Sequence, residues 1–204
     1  MIKLYGHELS GNAYKVQLLL NLLGLEYDDV RVDLMSGEHK QPEFLALNPF
    51  GQVPVLVDGD RILQDAQAIL VYVAGTYGGS AWLPSEPIEL SAIVRWLSTA
   101  AGEVRQGPEN ARLYYLFGAK SINIDRATDK AHLILQQLND HLADRLWLEL
   151  DRPTIADIAV FPYVALAPDG KIALDAYPHV LAWIDHLSHL SGFVAMLGMT
   201  TIAA

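Results

Sequence analysis

Residues 55 to 63 are Val55-Leu56-Val57-Asp58-Gly59-Asp60-Arg61-Ile62-Leu63, two short apolar runs separated by an Asp-Gly turn. Asp-Gly between two such runs is a strong signal for a β-hairpin, because Gly tolerates the positive φ that a tight hairpin turn needs. The preceding sequence Asn48-Pro49-Phe50-Gly51 is itself typical of a turn. We therefore predict an antiparallel strand pair here, directly followed by a helix that starts at Asp65.

The segments in front of this hairpin alternate between strand and helix patterns. Ile2 to Tyr5 alternates like a strand, apolar residues at helical spacing follow, and Tyr27 to Asp33 has the pattern of a second strand. A short helical stretch from Glu43 to Leu47 comes next. Together with the hairpin and its following helix, the order β-α-β-α-β-β-α predicts a small sheet flanked by helices, an α/β domain over residues 1–77.

The rest of the chain carries almost no strand pattern. Residues 78–87 contain Gly-Gly, Ser and two Pro residues, and we interpret them as a linker. Beyond it, leucine-rich stripes at helical spacing predict an all-helical (all-α) domain over residues 88–204. The two stripes are Leu133, Ile134, Leu138, Leu142 and Leu146, and Val180, Trp183, Ile184, Leu187 and Leu190.

Two local signals mark boundaries in this helical half. Gly107-Pro108 is expected to end or kink the helix that begins near Ile88, because Pro lacks an N–H and clashes with the preceding turn. Thr154 and Asp157 have the spacing of a capping box, with Asp in place of the usual Glu. We expect both to be structural, so that Asp157→Ala would impair folding before catalysis.

Composition excludes several classes of function. The 204 residues include 14 Lys+Arg and 24 Asp+Glu, and the formal net charge is −10. Nucleic acids and anionic membranes attract basic surfaces, so neither is expected as a main partner. The chain has no Cys, which excludes disulfides, Cys-ligated metals and a cysteine nucleophile. Any thiol chemistry must therefore use a thiol that arrives with the substrate.

Neither a targeting segment nor a membrane span is expected. Residues Met1 to Glu8 introduce polar side chains too early for a signal peptide. The most apolar stretch, Ile155 to Ala167, is shorter than a bilayer requires and contains Asp157. The His residues do not cluster with metal-ligand spacing. We therefore expect a soluble cytoplasmic protein without a metal.

Four polar segments fall at one end of the predicted sheet. They are Ser10-Gly11-Asn12, His39-Lys40, Gln52-Val53-Pro54 and Gln64-Asp65-Ala66. Strand ends and helix N-termini meet there, and such an edge is a natural ligand site because the first backbone N–H groups of a helix are unpaired.

These segments and their surroundings resemble the glutathione S-transferase family. The matching stretches are Leu9 to Val16, Gly37 to Phe44, Leu47 to Leu56, Thr154 to Ala159, Ala176 to Pro178 and Ser191 to Phe193. The run Asn-Pro-x-Gly-x-Val-Pro within the third stretch is highly specific, and the matches span nearly the whole chain. The resemblance implies a thioredoxin-like N-terminal domain that binds glutathione, a helical C-terminal domain that shapes the co-substrate pocket, and a homodimer.

The resemblance implies that Ser10 and Asn12 serve a reaction in which the glutathione thiolate attacks an electrophile. A free thiol has a pKa near 8.5, and lowering it by about two units needs about 2.7 kcal/mol. A hydroxyl hydrogen bond to an anion gives about 1.5–3 kcal/mol and a helix N-terminus about 0.3–1 kcal/mol. Ser10 at the start of the first helix therefore suffices, as a donor and not as a base. Alternatively, Ser10 or Asn12 only caps that helix, and Asn12 assists or replaces Ser10.

The resemblance also implies which residues hold the rest of glutathione. His39 and Lys40 would contact the glycine-end carboxylate, although they could be ordinary loop charges. Beside Gln52, Val53 would offer its backbone N–H and C=O to the cysteinyl part, as an added strand does. Pro54 would then follow a cis peptide bond, which is rare and therefore a sharp test.

Position 66 departs from the family pattern. Asp65 matches the acidic residue that contacts the γ-glutamyl ammonium group, although it could be only an N-cap. Most members follow this acid with Ser, whose hydroxyl holds the γ-glutamyl carboxylate, whereas this chain has Ala66. The backbone N–H groups at the helix start remain, and the lost hydroxyl contact costs about 1 kcal/mol. Ala66 therefore favours weaker glutathione binding, or a different thiol or acid as ligand.

The co-substrate pocket is expected to include His7 and four side chains around Gly107-Pro108. These four are Arg105, Asn110, Arg112 and Tyr114. A cation there would stabilise negative charge on the electrophile or bind an acidic co-substrate. Equally, this region could be a surface cluster of ion pairs.

The sequence thus predicts a cytosolic, serine-type glutathione transferase whose partners are glutathione, as co-substrate, and a small hydrophobic electrophile. Two alternatives stay open. One is a non-catalytic family member that acts as a binding module, which Ala66 favours. The other is a glutathione-dependent peroxidase, in which bound glutathione attacks a peroxide. The maleylacetoacetate isomerase branch fits less well, because a Ser-rich, Cys-containing run expected near Ser10 is missing.

Overall fold

The computed structural model describes residues 1–199, and its N-terminal half is built on the predicted sheet. The strands are Ile2–Gly6 (β1), Tyr27–Arg31 (β2), Val55–Asp58 (β3) and Arg61–Gln64 (β4). Their order is β2-β1-β3-β4; β1 and β2 are parallel, and the other neighbours are antiparallel. The predicted hairpin is present, since Asp58 pairs with Arg61 and Gly59 in the turn has a φ of +58°.

Three helices flank this sheet in the predicted order. They are Gly11–Leu22 (α1), Pro42–Leu45 (α2) and Ala66–Val73 (α3). Strand β2 and helix α2 each end two residues earlier than predicted. Leu18, Leu19 and Leu20 of α1 have no exposed surface, because α1 contacts β1 and also the helical half of the chain.

The second half is helical, as predicted. Its helices are Pro87–Thr99 (α4), Asn110–Leu116 (α5), Ile124–His141 (α6), Ile155–Ala165 (α7) and Pro178–Ser188 (α8). Helix α7 contacts α1, α3 and α4, and every residue from Ile155 to Val164 is buried. A single core therefore joins the two halves. The predicted helical domain runs to residue 204, and its residues 200–204 lie outside the described part of the chain.

The segment predicted as a linker, residues 78–87, is hydrogen-bonded to the loop in front of α7. It contains a short 3-10 helix, Gly79–Ala81. The Arg152 guanidinium donates to the carbonyl oxygens of Ser80 (2.9 Å) and Ala81 (3.0 Å). The predicted domain boundaries themselves stay predictions.

The helix does not end at Gly107-Pro108, which corrects one of the two expectations for this pair. The chain continues from α4 through a π-helical segment, Ala100–Glu109, directly into α5. The wider π turn accommodates Pro108, which lacks the N–H for the usual helical hydrogen bond. Gly107 serves packing instead, because a Cβ at this position would lie 2.8 Å from the Cα of Ala131 in α6.

Two leucines of the first predicted stripe are exposed, which corrects that prediction. Leu133 is 54% and Leu146 is 61% exposed. The buried residues of α6 are Ala127, Ala131, Ile134, Leu135 and Leu138. Each residue advances a helix by about 100°, so Leu133 lies away from this face, and Leu146 comes after α6 has ended.

Candidate active site

A cleft lies where one edge of the N-terminal half faces the π-helical segment. It has two lobes with volumes of about 340 and 500 Å³. The smaller, here the α3 lobe, includes the N-terminus of α3, and the larger, here the α5 lobe, includes residues of α5. The lobes share Asn12, Gln52, Val53, Arg105 and Glu109. Each of the four polar segments predicted at the end of the sheet lines one or both lobes.

The α3 lobe is built on the start of α3. Gln64, Asp65, Ala66 and Gln67 line it. The Asp65 carboxylate accepts the Ala68 N–H (3.0 Å) and so caps the helix. Asp65 also has a φ of +69°, an uncommon conformation for residues other than Gly that concentrates at functional sites. The first N–H groups of a helix have no intrahelical partner. This lobe therefore offers backbone N–H donors for the carboxylate of a ligand, beside the negative charge of Asp65.

The loop before β3 forms a wall of the cleft. The Val53–Pro54 peptide bond is cis, which confirms the prediction, and Pro54 lines the α3 lobe. Asn48 is almost fully buried: its side chain donates to the Gln52 carbonyl (2.8 Å) and accepts the Phe50 N–H (3.1 Å). Asn48 therefore organises this loop. It is missing from the predicted site residues, although it begins the specific Asn-Pro run.

Ser10 lies in the α5 lobe at the N-cap of α1. Its Oγ accepts the Ala13 N–H (3.2 Å), so Ser10, and not Asn12, caps this helix. A hydroxyl has two acceptor sites and one donor, and capping leaves the donor available for an anion in the cleft. Gly11 has no room for a side chain, because a Cβ would lie 2.8 Å from the Tyr163 ring of α7.

Asn12 contacts two buried charged residues that are absent from the predicted site. Lys15 Nζ donates to Asn12 Oδ1 (2.8 Å), and Asn12 Nδ2 lies 3.5 Å from Glu109 Oε1. Lys15 and Glu109 are both buried. Burial lowers the pKa of Lys15 to about 8 and raises the pKa of Glu109. The sequence carries a signal for Lys15, because it shares a helix face with Leu18 and Leu19, where apolar residues are expected.

His39 and Lys40 line the α5 lobe. His39 Nδ1 is buried and has no hydrogen-bond partner among the described residues, and burial, helped by the Lys40 charge, lowers the pKa of His39. Lys40 Nζ donates to the carbonyl oxygens of Phe50 (3.2 Å) and Gly51 (2.8 Å). Lys40 thus holds the loop before β3, and the third N–H of its ammonium remains for a carboxylate.

The two arginines predicted near the co-substrate differ in their surroundings. Arg105 is exposed and lines both lobes. Arg112 lines the α5 lobe but is buried; its Nε donates to Asp169 Oδ2 (2.9 Å) and its Nη1 to the Leu9 carbonyl (2.8 Å). Leu9 directly precedes Ser10, so Arg112 ties α5 to the loop that carries Ser10.

The remaining lining of the α5 lobe is largely apolar. Leu9, Leu34, Met35, Leu113 and Phe117 contribute to it. They come from the loop before α1, the loop after β2, and the end of α5. An apolar molecule of modest size therefore fits beside Ser10 better than a highly charged one.

Three predicted co-substrate residues are not among the residues that line the cleft. His7 accepts the Leu9 N–H at its Nδ1 (3.1 Å) and lines a separate depression that includes Tyr14. The ring of Tyr114 lies 3.7 Å from Lys120 Nζ. Asn110 and Tyr114 each follow a cleft residue by one position, which rotates them by about 100° to the next helix face.

The predicted capping box at Thr154 and Asp157 is present and lies outside the cleft lining. Asp157 Oδ1 accepts the Leu148 N–H (2.9 Å) and the Trp183 Nε1–H (3.0 Å). Its Oδ2 accepts both the N–H (2.9 Å) and the hydroxyl (3.2 Å) of Thr154. These four donors fully use a carboxylate that has no exposed surface, which is the geometry of a structural residue.

Two features are absent from residues 1–199, a metal-binding cluster and a membrane-spanning helix. Within this range, no group of three or more His, Cys, Asp or Glu side chains could hold a metal ion. No helix in the same range is long and apolar enough to cross a bilayer.

Comparisons with known proteins agree with this geometry. The family models "Glutathione S-transferase, N-terminal domain" and "Glutathione S-transferase, C-terminal domain" match residues 1–75 and 107–191. Glutathione S-transferase 3 from Zea mays is 36% identical, over 94% of this chain and 91% of its own length. Maleylacetoacetate isomerase from Rhizobium meliloti is 35% identical, over 88% and 87% respectively. The crystal structure of a glutathione S-transferase from Pseudomonas fluorescens superposes with a TM-score of 0.90 and 32% identity, covering 96% of this chain and 98% of that one.

The chain therefore belongs to the glutathione S-transferase family. This confirms the family and the fold predicted from the sequence, a thioredoxin-like N-terminal half with a helical C-terminal half. Family membership supports transferase activity with glutathione. The roles of the individual site residues stay predictions.

Proposed function

We propose that this protein catalyses the conjugation of glutathione to a small, largely apolar electrophile. One observation carries the proposal: the Ser10 hydroxyl, the loop at Val53 and the N-terminus of α3 all line the same cleft. The Ser10 hydroxyl can donate a hydrogen bond to an anion, the backbone at Val53 can pair with a peptide, and the first N–H groups of α3 can bind a carboxylate. Their spread across two lobes matches a tripeptide with a thiol at its centre.

The proposed pose follows from the chemistry of each part of the cleft. The γ-glutamyl carboxylate meets the first N–H groups of α3, and its ammonium group meets Asp65. The cysteinyl backbone pairs with Val53 as an added strand does. The glycine-end carboxylate meets His39 and the remaining N–H of Lys40.

The thiol then lies between Ser10 and Asn12. Ser10 donates its hydroxyl hydrogen to the sulfur while its oxygen keeps the cap of α1. Two units of thiol pKa correspond to about 2.7 kcal/mol, which a hydrogen bond to an anion of about 1.5–3 kcal/mol and the helix N-terminus supply. The thiol proton leaves to solvent, and a sulfur electron pair forms the bond to the electrophilic carbon. The bond between that carbon and the leaving group breaks, and the leaving group departs with the electron pair of that bond.

The electrophile occupies the apolar side of the α5 lobe, next to Leu34, Leu113 and Phe117. Arg105 is the exposed cation in reach of both lobes, and it stabilises negative charge that develops on the electrophile or leaving group. Arg112 contributes by holding Leu9 rather than as a free charge.

We also propose that the protein acts as a homodimer in the cytoplasm, as is typical of the family. Large apolar side chains from both halves are exposed, among them Phe50, Val71 and Val94, and a contact between copies would bury them. Sedimentation at micromolar concentration is expected to give twice the chain mass of 22.5 kDa. A single species of 22.5 kDa would contradict a stable dimer.

Calorimetric titration with glutathione, together with turnover of a generic aryl halide, tests the function. Ser10→Ala is expected to lower kcat by about 10–100-fold, the value of a hydrogen bond to an anion. The Kd for glutathione should stay within about two-fold when it is measured at pH 6, where the bound thiol is mostly protonated in both proteins. Ser121→Ala, at an exposed position outside the cleft, is the matched control and should change neither quantity. Absence of glutathione binding by the wild-type protein would contradict the proposal.

Glutathione-dependent isomerisation is a second candidate, because one relative at 35% identity is named maleylacetoacetate isomerase. In that reaction the thiolate adds to a double bond and is later expelled, so glutathione is regenerated. Measuring glutathione consumption with an unsaturated acid and with an aryl halide separates the two. Turnover of a peroxide with formation of glutathione disulfide would indicate the peroxidase alternative. Tight glutathione binding without turnover in any assay would indicate a binding module, the alternative that Ala66 favours.

A further inference from the structure

Lys15 has an unusual environment directly beneath the cleft. Its side chain has no exposed surface, and its Nζ donates to Asn12 Oδ1 (2.8 Å) and lies 5.1 Å from the centroid of the Tyr163 ring. None of the ion pairs within residues 1–199 involves Lys15. A buried ammonium without a direct carboxylate partner destabilises the native state, because its lost hydration is poorly replaced. Lys15 is therefore better explained by a function than by stability.

The contacts of Lys15 fix the orientation of the Asn12 amide. An ammonium is only a donor, so the amide oxygen of Asn12 must face Lys15. The amide nitrogen must then face the other way, where Glu109 Oε1 lies at a long 3.5 Å. The nitrogen carries two hydrogens, and Glu109 uses at most one. Because Asn12 lines both lobes, the other N–H is available to a group bound in the cleft.

We propose that Lys15 is a positioning residue for thiol activation: it holds the Asn12 amide so that one N–H faces the sulfur of bound glutathione. The inference rests on the proposed function, since it requires glutathione in the cleft. Glu109 holds the opposite end of the amide, and the arrangement is a relay from ammonium to amide to carboxylate. The sulfur thus receives two donors, the Ser10 hydroxyl and the Asn12 amide.

Other charged groups surround this relay and have to be included in its pH dependence. The groups that act on the Lys15 charge are Glu109 and Arg105 of the π-helical segment and Asp65 at the start of α3. Tyr163 of α7 lies against both Lys15 and Glu109. Glu109 is negative when ionised and would oppose the thiolate, so Lys15 and Glu109 have opposite expected effects on thiol ionisation.

The test measures the thiol pKa of bound glutathione, from thiolate absorbance in the complex, in four proteins: wild type, Lys15→Met, Asn12→Ala and the double variant. Lys15→Met is expected to raise this pKa by about one unit, which leaves about ten-fold less thiolate below the pKa. The glutathione Kd should be unchanged within about two-fold when it is measured at pH 6, where the bound thiol is mostly protonated in both proteins. The loss of kcat should be largest near pH 6.5 and small near pH 9, where the thiol ionises unaided. In the Asn12→Ala background, Lys15→Met should add less than a two-fold effect. Lys3→Met, in β1 and outside the cleft lining, is the matched control.

The outcomes separate this inference from the proposed function. A wild-type complex whose thiol pKa is lowered, combined with an unchanged pKa in Lys15→Met, overturns the inference and leaves the function intact. An equal effect of Lys15→Met with and without Asn12 also overturns it, because Lys15 would then act by its charge alone. If Lys15→Met does not fold, Asn12→Ala alone tests the proposed N–H, since Ala has no N–H to donate and adds no charge beside the thiolate. Asn12→Ala should raise the thiol pKa, and an unchanged value would refute the proposed N–H.

Discussion

Asp157 and Lys15 are both buried charged side chains, and they differ in how their hydrogen bonds are satisfied. Asp157, in the helical half, accepts four hydrogen bonds at 2.9–3.2 Å, and none of the donor residues lines the cleft. Lys15, beneath the cleft, donates one hydrogen bond within the described residues, to Asn12. Burial favours the neutral form of both side chains: it raises the pKa of Asp157 to about 6 and lowers the pKa of Lys15 to about 8.

These hydrogen-bond patterns distinguish a buried charge that holds the fold, Asp157, from one that we propose serves the chemistry of the cleft, Lys15. A carboxylate with all its lone pairs engaged joins the segments that supply the donors, and its removal leaves those donors unpaired. A buried ammonium with one bond stabilises the native state poorly. Lys15 contacts Asn12, which lines the cleft, and groups with shifted pKa values cluster at functional sites.

Asp157→Asn gives the largest expected effect on stability. An amide can accept at its oxygen only. Its NH₂ group therefore faces either the two Thr154 donors or the Leu148 and Trp183 N–H groups, and at least one buried donor is left unpaired. We expect the free energy of unfolding to fall by about 4 kcal/mol, from the loss of two charge-assisted bonds and this repulsion. Urea denaturation followed by circular dichroism measures it. Asp129→Asn, exposed on α6, is the control and should cost less than about 0.5 kcal/mol; an equally small cost for Asp157→Asn would remove the contrast between the two regions.

Lys15→Met sharpens the comparison through pH. Because the native state lowers the pKa of Lys15 to about 8, the unfolded chain binds more protons between pH 8 and about 10.4, the ordinary lysine value. Wild-type stability therefore rises with pH in this window, relative to Lys15→Met, by about 3 kcal/mol. Parallel denaturant titrations of the two proteins at pH 7, 9 and 10.5 measure the difference. A difference that does not change with pH would mean that the native state does not disfavour the charge.

Asp169→Asn tests the role of Arg112, the buried arginine of the α5 lobe that bonds to both Asp169 and Leu9. Asp169 is partly exposed and accepts from Arg112 Nε at 2.9 Å, so its neutralisation should cost about 1 kcal/mol of stability. Because Arg112 also holds Leu9, we expect kcat to fall several-fold with little change in glutathione affinity. Asp144→Asn removes an exposed pair with Arg145 and is expected to be nearly neutral. Unchanged kcat in Asp169→Asn would show that Ser10 is positioned without the bond between Arg112 and Asp169.

Ala66→Ser is expected to have the smallest effect, and it adds a hydrogen-bond donor inside the cleft. A hydroxyl at the start of α3 adds one donor for the γ-glutamyl carboxylate, worth about 1 kcal/mol or a several-fold lower Kd. Calorimetry with glutathione measures it. Ala68→Ser, exposed on the same helix, controls for the change in helix propensity. Weaker binding by Ala66→Ser would mean that the γ-glutamyl group lies elsewhere.

Much of the fold was predictable because local patterns decide it. The Asp-Gly turn predicts the hairpin, and the spacing of Thr154 and Asp157 predicts a helix start, both by short-range chemistry. The packing role of Gly107 was not predictable, because the glycine makes room for α6 and no local pattern reveals this long-range contact. The exposure of Leu133 likewise depends on which side of α6 other helices cover.

The lining of the cleft was predictable where it follows strand ends and helix starts, as at Ser10, Val53 and Asp65. It was not predictable where two distant segments meet. Glu109 is 97 residues from Asn12 in the chain, and only the folded chain shows that the two share a cleft. Arg112 was expected near the co-substrate, but its bonds to Leu9 and Asp169 could not be inferred from its position.

Titration of the thiol of glutathione bound to the wild-type protein shows whether a protein without cysteine keeps the sulfur of its ligand ionised near neutral pH. Thiolate absorbance as a function of pH, at saturating protein, should give a pKa near 6.5, about two units below that of free glutathione. A pKa equal to that of free glutathione would contradict the account.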